Sequence, residues 1–390
     1  MKAAKQFSYG RQSLDDDDID AVTDALRSEF ISQGPRLQEF EEKIASYCQA
    51  EYCLAVANGT AGLHLACMSL GLKYSDTGWT SALSFVASAN AIRMCNAKVD
   101  FSDIDPGTFN LSPALLRRKF DTAAEHHALP KVIIVVHFAG QSCDLETIKE
   151  IADVYDCKVI EDACHALGGE YKGEKIGCCR FSDVAVFSLH PVKSITTGEG
   201  GLFLTNNKKL YEKARMLRAH GIVRGESVIN KSVGPWHAEM QSEGYNYKIS
   251  EIQCALGISQ LGRLDAFIKT RAALSKRYQQ NLRGLPLRFQ MPFSDAKSAW
   301  HIMLILINFD KLGKTKRGIY EKMSHAGINL SVHYLPIHLN PFYQRLGFRK
   351  GHFPAAEQYY EQAFSLPLHP SLDMDDVDFI CENLRNALTA

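Results

Sequence analysis

Short apolar runs alternate with amphipathic segments along most of the chain. Runs such as VIIVVHFAG have the length and β-branched content of buried strands, whereas TAGLHLACMSLG and LETIKEIADVYD are compatible with helices. The predicted strands are YCLAVANG, GWTSAL, KVDFSDI, KVIIVVHFAG, KVIEDACH, DVAVFSL and GLFLTN. Because continuous apolar strands between helices are typical of sheets covered on both faces, the pattern predicts a largely parallel sheet and an α/β fold.

The chain begins with two predicted helices. In SLDDDDIDAVTDALRSEF, Ser13 is the expected N-cap, and the aspartates fall in the first turn, where the helix dipole favours them. Ile19, Val22 and Leu26 predict an amphipathic helix whose acids face solvent, so the acid run indicates helix initiation rather than a metal site. A second helix is predicted after Gly34-Pro35, through LQEFEEKIASYC.

The last third of the chain has a different pattern. Long helical segments follow Tyr247, and then SAWHIMLILINF reads as a strand and DMDDVDFICENLRNAL as a terminal helix. A chain of 390 residues is too long for one small core. We therefore expect a large domain at 1–255, with its N-terminal segment packed near the other unit, and a smaller α+β domain at 256–390.

Composition and charge exclude several classes of partner. Lys+Arg and Asp+Glu both total 44, so no net field would attract nucleic acid or an anionic membrane. The N-terminus lacks the apolar core of a signal peptide, and no apolar run approaches the ~20 residues of a membrane helix. The 11 cysteines are scattered without a CxxC pair. They predict free thiols in a reducing cytoplasm and no metal site.

Chemistry-bearing residues follow three of the predicted strands, where open α/β sheets bind ligands. In ANGTAGLHLA, a small-residue turn opens a helix whose N-terminus would suit a phosphate, although a plain strand-to-helix turn fits equally well. In VIEDACHALGG, Glu161 and Asp162 end a strand, and His165 lies just beyond. Side chains alternate along a strand, so one acid faces a common ligand; a structural ion pair or a helix cap is the alternative.

The third loop, FSLHPVKSITTGEGG, carries Ser188, His190 and Lys193 into a glycine-containing turn. A partly desolvated lysine has a lowered pKa and forms a Schiff base with an aldehyde, whereas a loop lysine is more often a solvated cation. Together, a lysine, a carboxylate and a phosphate cradle fit pyridoxal 5′-phosphate (PLP). Phe85, after the next strand, is placed to stack on its ring, with ordinary core packing as the alternative.

The motifs resemble those of one family nearly end to end. The similar segments, in order, are SYGRQSL, ISQGPRLQEFEEKIASY, ANGTAGLHLA, SFVASANAIRMCNAKVDFSDIDPGTFNLSP, VHFAGQSCDLETI, VIEDACHALGGEYKG, the lysine loop, YNYKISEIQCALGISQL, HYLPIHLNPFY and SLPLHPSL. They resemble the DegT/DnrJ/EryC1/StrS family of sugar aminotransferases. This resemblance implies the fold type I, aspartate-aminotransferase-like architecture: a mostly parallel seven-stranded sheet in a large domain and a smaller α+β C-terminal domain.

The resemblance also implies roles for residues around the cofactor ring. Lys193 matches the Schiff-base lysine, and Asp162 matches the carboxylate paired with the pyridinium nitrogen. His165 stands near the expected place of the ring's phenolic oxygen. Glutamate would displace Lys193 from the Schiff base, the freed amine of Lys193 would then move protons during transamination, and Asp162 would keep the ring protonated.

Further matches concern the phosphate, the ring face and the subunits. Thr60, Ala61 and Ser188 match phosphate-binding positions, and Phe85 matches the ring-stacking aromatic residue. Asn246 resembles the asparagine that reaches the phosphate of a neighbouring subunit. The resemblance therefore implies a homodimer with shared active sites.

Within the family, WTSALSFVASAN, EDACHALGG and SLHPVKSITTGEGG are most similar to the pseudaminic acid branch. This branch implies transfer of an amino group from L-glutamate to C4 of a UDP-linked 4-keto-6-deoxy-N-acetylhexosamine, giving UDP-4-amino-4,6-dideoxy-N-acetyl-β-L-altrosamine. Branch members often have proline where Ala82 stands. Candidate substrate residues, each equally compatible with a plain core or surface role, are Tyr9, Arg224, His333 and Tyr334.

Three other functions are compatible with parts of the pattern. The first is transamination of another nucleotide-linked 4-keto sugar, of the legionaminic or perosamine type. The second is a PLP-dependent sugar dehydratase, which would have histidine in place of Lys193. The third is a non-catalytic PLP-binding regulator, which would need a DNA-reading domain and a basic surface.

Overall fold

A computed structural model describes residues 5–225 and 234–389. In chain order its strands are β1 (Tyr52–Val56), β2 (Thr77–Ser81), β3 (Lys98–Ser102), β4 (Val132–Val136), β5 (Lys158–Asp162), β6 (Glu170–Tyr171), β7 (Glu174–Lys175), β8 (Val184–Ser188), β9 (Gly201–Thr205), β10 (Ile222–Arg224), β11 (Ala238–Met240), β12 (Leu287–Phe289), β13 (Ala296–Lys297), β14 (Met303–Ile307) and β15 (Ala363–Leu366).

The helices, in the same order, are α1 (Asp16–Arg27), α2 (Pro35–Cys48), α3 (Gly59–Ser69), α4 (Ala87–Met94), α5 (Pro113–Glu125), α6 (Leu145–Val154), α7 (Lys208–Arg218), α8 (Glu251–Leu261), α9 (Leu264–Asn281), α10 (Phe309–Leu312), α11 (Lys316–His325), α12 (Pro341–Arg345), α13 (Pro354–Gln362) and α14 (Met374–Thr389). Short 3-10 turns lie at Phe138–Gly140 and Ile337–Leu339.

A seven-stranded sheet with the order β1-β9-β8-β5-β4-β2-β3 forms the centre of the molecule. The pairs β3–β2, β2–β4, β4–β5 and β5–β8 are parallel, whereas β9 runs antiparallel to both β8 and β1. Each of the seven strands coincides with one of the predicted runs. The predicted α/β fold with a mostly parallel sheet is therefore confirmed, with β9 as the antiparallel member.

The sheet is covered on both faces, as its continuous apolar strands require. Within β4, Ile133 and Val135 join one core cluster, while Val132 and Ile134 join the cluster on the opposite face. Helices α2, α5 and α6 pack on the first face, and α3, α4 and α7 on the second. This two-sided burial leaves the ends of the strands as the place where polar groups reach solvent.

A second, three-stranded sheet with the order β12-β14-β15 lies in the C-terminal part, beside α9, α11 and α14. The predicted strand in SAWHIMLILINF is β14, and the predicted terminal helix is α14. The N-terminal segment contacts this part, because Phe7 bridges Ile328 in parallel and Leu368 donates its N–H to the Tyr9 carbonyl at 3.0 Å. The expected boundary at residue 255 falls within α8, and the division into 1–255 and 256–390 stays a prediction.

The prediction for the faces of α1 was wrong. Its N-cap is Asp15 rather than Ser13, and Asp15 and Asp18 form a reciprocal capping box. Asp18 is 1% exposed, whereas Ile19 is 58% exposed. Asp18 is buried because it pairs with Arg263 and accepts a 2.7 Å hydrogen bond from Gln260 Nε2. An ionic contact with α8 and α9 therefore overrides the simple amphipathic pattern.

The start of α2 is held by a residue distant in sequence. Gly34, its N-cap, offers no side chain, and the fully buried Glu251 accepts hydrogen bonds from the N–H groups of Arg36 at 2.8 Å and Leu37 at 2.9 Å. A Cβ on Gly34 would lie 2.8 Å from Glu251 Oε2, so glycine permits this approach. Glu251 thus caps α2 from α8.

No helix in the described part of the chain combines the length and apolarity that a membrane crossing requires.

We expect Glu251→Gln to lower the free energy of unfolding by about 1–3 kcal/mol, because an amide cannot accept both buried N–H groups as a carboxylate does. Urea unfolding of the cofactor-free protein measures this change. Glu39→Gln, on the exposed side of α2, is the control and should change stability by less than about 0.5 kcal/mol. Equal stabilities for the two variants would contradict the capping role.

Candidate active site

A cavity of about 760 Å³ opens at the carboxyl ends of the central strands. Its wall includes the start of α3, the segment between β2 and α4, and the ends of β4, β5 and β8. Eleven of the residues singled out in the sequence line it: Tyr9, Thr60, Ala61, Phe85, Asp162, His165, Ser188, His190, Lys193, His333 and Tyr334. Parallel strands end at the same edge of a sheet, so residues far apart in sequence meet here.

Lys193 is placed by a tightly bonded loop between β8 and β9. Leu189 donates its N–H to the Gly200 carbonyl at 2.8 Å and accepts from the Thr197 N–H at 3.0 Å, which closes the loop at its base. Gly198 has φ +79°, a left-handed conformation that favours glycine. The Lys193 N–H in turn donates to the His190 carbonyl at 2.9 Å. The loop therefore fixes the backbone from which the amine projects.

The amine of Lys193 lies in an environment that disfavours its charge. Burial lowers the pKa of Lys193, and the nearby Cys164 and Asp162 oppose this effect only in part. Among the described residues the amine makes no ion pair within 4.0 Å. Lys193 is thus not the solvated loop cation that its position in a loop would suggest.

The two acids at the end of β5 point to opposite faces, as strand alternation requires. Glu161 accepts hydrogen bonds from His137 Nε2 at 2.9 Å and Ser182 Oγ at 2.5 Å, away from the cavity. His137 Nδ1 accepts from the Cys143 N–H at 3.1 Å, so its proton lies on Nε2, toward Glu161. Asp162 is therefore the acid that faces the cavity.

Asp162 is buried without a cation. It is 5% exposed and accepts from Ser88 Oγ at 2.6 Å and the Cys164 N–H at 3.3 Å. No lysine, arginine or histidine of residues 5–225 and 234–389 forms an ion pair with it. Burying an unpaired carboxylate is costly, so this position suits a ligand that brings a positive charge.

The start of α3 forms another wall of the cavity. Asn58 is its N-cap, and its Oδ1 accepts the N–H of Ala61 at 2.9 Å. A Cβ on Gly59 would lie 3.1 Å from Ser188 Cβ, so the helix start packs closely against the end of β8. Thr60 and Ser188 thus lie beside a helix N-terminus, a favourable place for an anion.

Four aromatic side chains, two of tyrosine and two of histidine, also line the cavity. Tyr334 Oη lies 3.2 Å from His165 Nε2, and the rings of Tyr9 and His333 are 4.6 Å apart. Burial, together with the charge of Lys193, keeps the pKa of His165 well below its usual range and lowers the pKa of His333 to about 4. Both imidazoles are therefore neutral at physiological pH.

Phe85 is 55% exposed, and its ring faces the cavity at 5.8 Å from the ring of Tyr334. Ordinary core packing would have buried it. Its exposed face is available to a planar ligand.

Two predicted site residues lie elsewhere. Asn246 is exposed and accepts from Lys248 Nζ at 2.5 Å, and Arg224 is exposed at the end of β10. Neither lines the cavity. The proposed reach of Asn246 to a neighbouring subunit and the substrate role of Arg224 stay predictions.

Several residues that line the cavity were not predicted from the sequence. They include Ser84, Cys164 and Tyr247, each next to or near a residue that was singled out. Tyr247 Oη lies 3.1 Å from His64 Nδ1. The only signal for these residues was their neighbourhood within the same quoted motifs.

A comparison with known families matches residues 12–385 to the DegT/DnrJ/EryC1/StrS aminotransferase family. The chain belongs to this family. Over 387 residues it is 35% identical to a UDP-4-amino-4,6-dideoxy-N-acetyl-beta-L-altrosamine transaminase of Campylobacter jejuni, covering 98% of this chain and 97% of that protein.

Solved structures of family members have the same architecture. Helicobacter pylori PseC, an aminotransferase involved in the biosynthesis of pseudoaminic acid, has a TM-score of 0.89 and 29% identity, over 98% of this chain and 99% of that one. Spr1654 of Streptococcus pneumoniae in its PLP form has a TM-score of 0.88 and 25% identity, over 98% of each chain. The fold type I architecture is thus confirmed, and the protein is a PLP-dependent sugar aminotransferase.

The cavity residues fit PLP. The unpaired carboxylate of Asp162 suits the protonated ring nitrogen, the start of α3 suits the phosphate, and Lys193 offers an amine of lowered pKa. These three features are separate in sequence and share one cavity.

Replacing Lys193 by methionine should stabilise the cofactor-free aminotransferase, because burial of the amine disfavours its charged form. The lowered pKa means that the unfolded chain binds more protons than the folded one in the window just below the ordinary value of 10.5. The destabilisation of the folded protein by Lys193 is therefore full at pH values below the lowered pKa. It is lost as the pH rises from the lowered pKa toward 10.5. The stability gap between variant and native protein should narrow accordingly.

Urea unfolding at several pH values measures this gap. Lys43→Met, at an exposed lysine paired with Glu39, is the control and should shift stability little at any pH. A Lys193→Met variant that is less stable than the native protein at neutral pH would contradict the account of the buried amine.

Proposed function

We propose that this aminotransferase moves an amino group from L-glutamate to C4 of a UDP-linked 4-keto-6-deoxy-N-acetylhexosamine, forming UDP-4-amino-4,6-dideoxy-N-acetyl-β-L-altrosamine for pseudaminic acid biosynthesis. The observation that supports it most is the meeting of Lys193, Asp162 and the start of α3 in one cavity. The choice of sugar is supported by the similarity to the Campylobacter jejuni and Helicobacter pylori enzymes.

In this proposal the chain holds PLP at three places. Lys193 would bind its aldehyde carbon, Asp162 would pair with its ring nitrogen, and Thr60, Ala61 and Ser188 would hold its phosphate. Phe85 would cover one face of the ring, and His165 would serve the phenolic oxygen. When bound, PLP supplies an electron sink that stabilises the negative charge left as a substrate carbon loses its proton.

Lys193 is also the proposed proton carrier. Once the amino group of glutamate has replaced it at the aldehyde carbon, its free Nζ would take the proton from the α-carbon of glutamate in the first half of the reaction. In the second half, Nζ would deliver a proton to C4 of the sugar. A lowered pKa suits this work, because the amine must be free of its own proton to accept another. The face on which Nζ lies fixes the configuration of the new amine.

The neutral histidines and the tyrosines are proposed to orient the substrates. His165 and His333 carry no charge of their own at neutral pH, so the ring keeps Asp162 as its main electrostatic partner. Tyr9, His333 and Tyr334 line the cavity, and they are the proposed contacts to the sugar. Arg224 is retained as a candidate contact to the nucleotide.

We further propose a homodimer in which Asn246 completes the partner's phosphate site. Asn246 is exposed in the single chain, and an apolar strip along and beyond α1 is also exposed. Its members are Leu14, Ile19, Leu26, Phe30 and Ile31. An exposed apolar surface of this kind commonly marks a subunit interface.

The proposed location is the cytoplasm. All eleven cysteines lie in the described residues and all are free, which is typical of a reducing compartment. The division into domains at 1–255 and 256–390 is likewise retained as a proposal.

The two halves of the reaction are tested by visible absorption of the purified enzyme with bound PLP. We expect L-glutamate to shift the cofactor band to that of the amine form, and the UDP-linked 4-keto sugar of the proposed reaction to restore the original band. Recovery with a perosamine-type or legionaminic-type 4-keto sugar instead would assign the other substrate. A band that glutamate leaves unchanged would contradict transamination from glutamate.

Asp162→Asn keeps the shape of the side chain and removes its charge. We expect the rate of the glutamate half-reaction, measured by stopped-flow absorption, to fall by several orders of magnitude, because the ring nitrogen loses its counter-charge. Glu161→Gln, which alters the acid facing away from the cavity, is the matched control and should retain most of that rate where it folds. A near-native rate for Asp162→Asn would show that another group serves the ring nitrogen.

A further inference from the structure

A chain of two serine hydroxyls leads from the cavity wall to the Asp162 carboxylate. Ser88 Oγ lies 2.6 Å from Asp162 Oδ2, and Ser84 Oγ lies 2.9 Å from Ser88 Oγ. Ser88 is 0% exposed and Ser84 1% exposed. Ser84 is at the cavity wall, whereas Ser88 is behind it.

The direction of these hydrogen bonds follows from the donors available. An ionised carboxylate only accepts, so Ser88 donates its single hydroxyl proton to Asp162. The Ser88 oxygen is then an acceptor, and Ser84 donates to it. The two bonds polarise each other and stabilise the negative charge at Asp162 Oδ2.

The position of Ser88 couples two parts of the site. It lies in the first turn of α4, directly after the segment that carries Phe85, and its partner Asp162 ends β5. The Cys164 N–H engages the other carboxylate oxygen at 3.3 Å. The carboxylate is therefore held at both oxygens, and the Ser88 hydrogen bond ties α4 to the end of β5.

We propose that Ser88, supported by Ser84, is a positioning residue that fixes the orientation of the Asp162 carboxylate at the end of β5. This inference rests on the proposed function of Asp162 as the partner of the PLP ring nitrogen. Ser88 touches neither cofactor nor substrate and acts through Asp162. A buried carboxylate with no cation of its own needs such hydrogen-bond donors to offset the loss of water.

The test is a double-mutant cycle on PLP binding to the cofactor-free enzyme, followed by fluorescence. We expect Ser88→Ala to weaken PLP binding about tenfold, since a hydrogen bond to a charged group is lost. In an Asp162→Ala background the same change should have little further effect, because its target is gone. Ser84→Ala should weaken binding less, about threefold, since it removes only the support of Ser88.

Two readouts separate positioning from a general loss of structure. Visible circular dichroism of the bound cofactor reports its orientation and should weaken in Ser88→Ala, while thermal unfolding of the cofactor-free protein reports the fold. Ser69→Ala is the matched control: it removes a buried serine hydroxyl that donates to the Ala66 carbonyl, outside the cavity. This control should leave PLP affinity unchanged. If Ser88→Ala does not fold, the same cycle is run with Ser84→Ala.

Each outcome has a defined meaning. Native PLP affinity in Ser88→Ala, with weakened affinity in Asp162→Ala, would overturn the inference and leave the proposed function standing. Equal losses from Ser88→Ala in both backgrounds would also overturn it, because Ser88 would then act independently of Asp162. Native affinity in Asp162→Ala itself would contradict the proposed role of that carboxylate.

Discussion

The site depends on the way parallel strands end. Because the strands of the central sheet are covered on both faces by apolar clusters, their polar residues reach a cavity only at the carboxyl edge. At this edge β5 and β8 deliver Asp162 and Ser188, and the following loop delivers Lys193. The antiparallel strand β9 closes that loop against β8. The sheet topology, rather than any local motif, therefore brings Asp162, Ser188 and Lys193 together.

Burial then determines what these groups can do. An amine removed from water loses part of its affinity for protons, and a carboxylate without a cation is poised to accept one from a ligand. The buried amine and the unpaired carboxylate both destabilise the cofactor-free protein. Both become useful when a charged cofactor binds between them. The site thus lowers the stability of the cofactor-free protein, and the surrounding apolar clusters offset this loss.

The sequence predicted the parts of the fold that follow from local patterns. The seven strands, α3 and α6 repeat the periodicity of their segments, and Asp162 and Lys193 follow from strand ends. The faces of α1 were not predictable in this way, because the burial of Asp18 depends on Arg263, far along the chain. Glu251 caps α2 for a similar reason. Ser88 lies within the segment SFVASAN, but nothing in that segment indicates its contact with Asp162, which is distant in sequence.

The central claim is that Lys193 is the amine that holds PLP. Borohydride reduction of the enzyme with bound cofactor, followed by proteolysis and mass spectrometry, tests it most directly. The account predicts a phosphopyridoxyl group on Lys193 and on no other lysine. A stable label on a different lysine, or a cofactor released without any label, would contradict it.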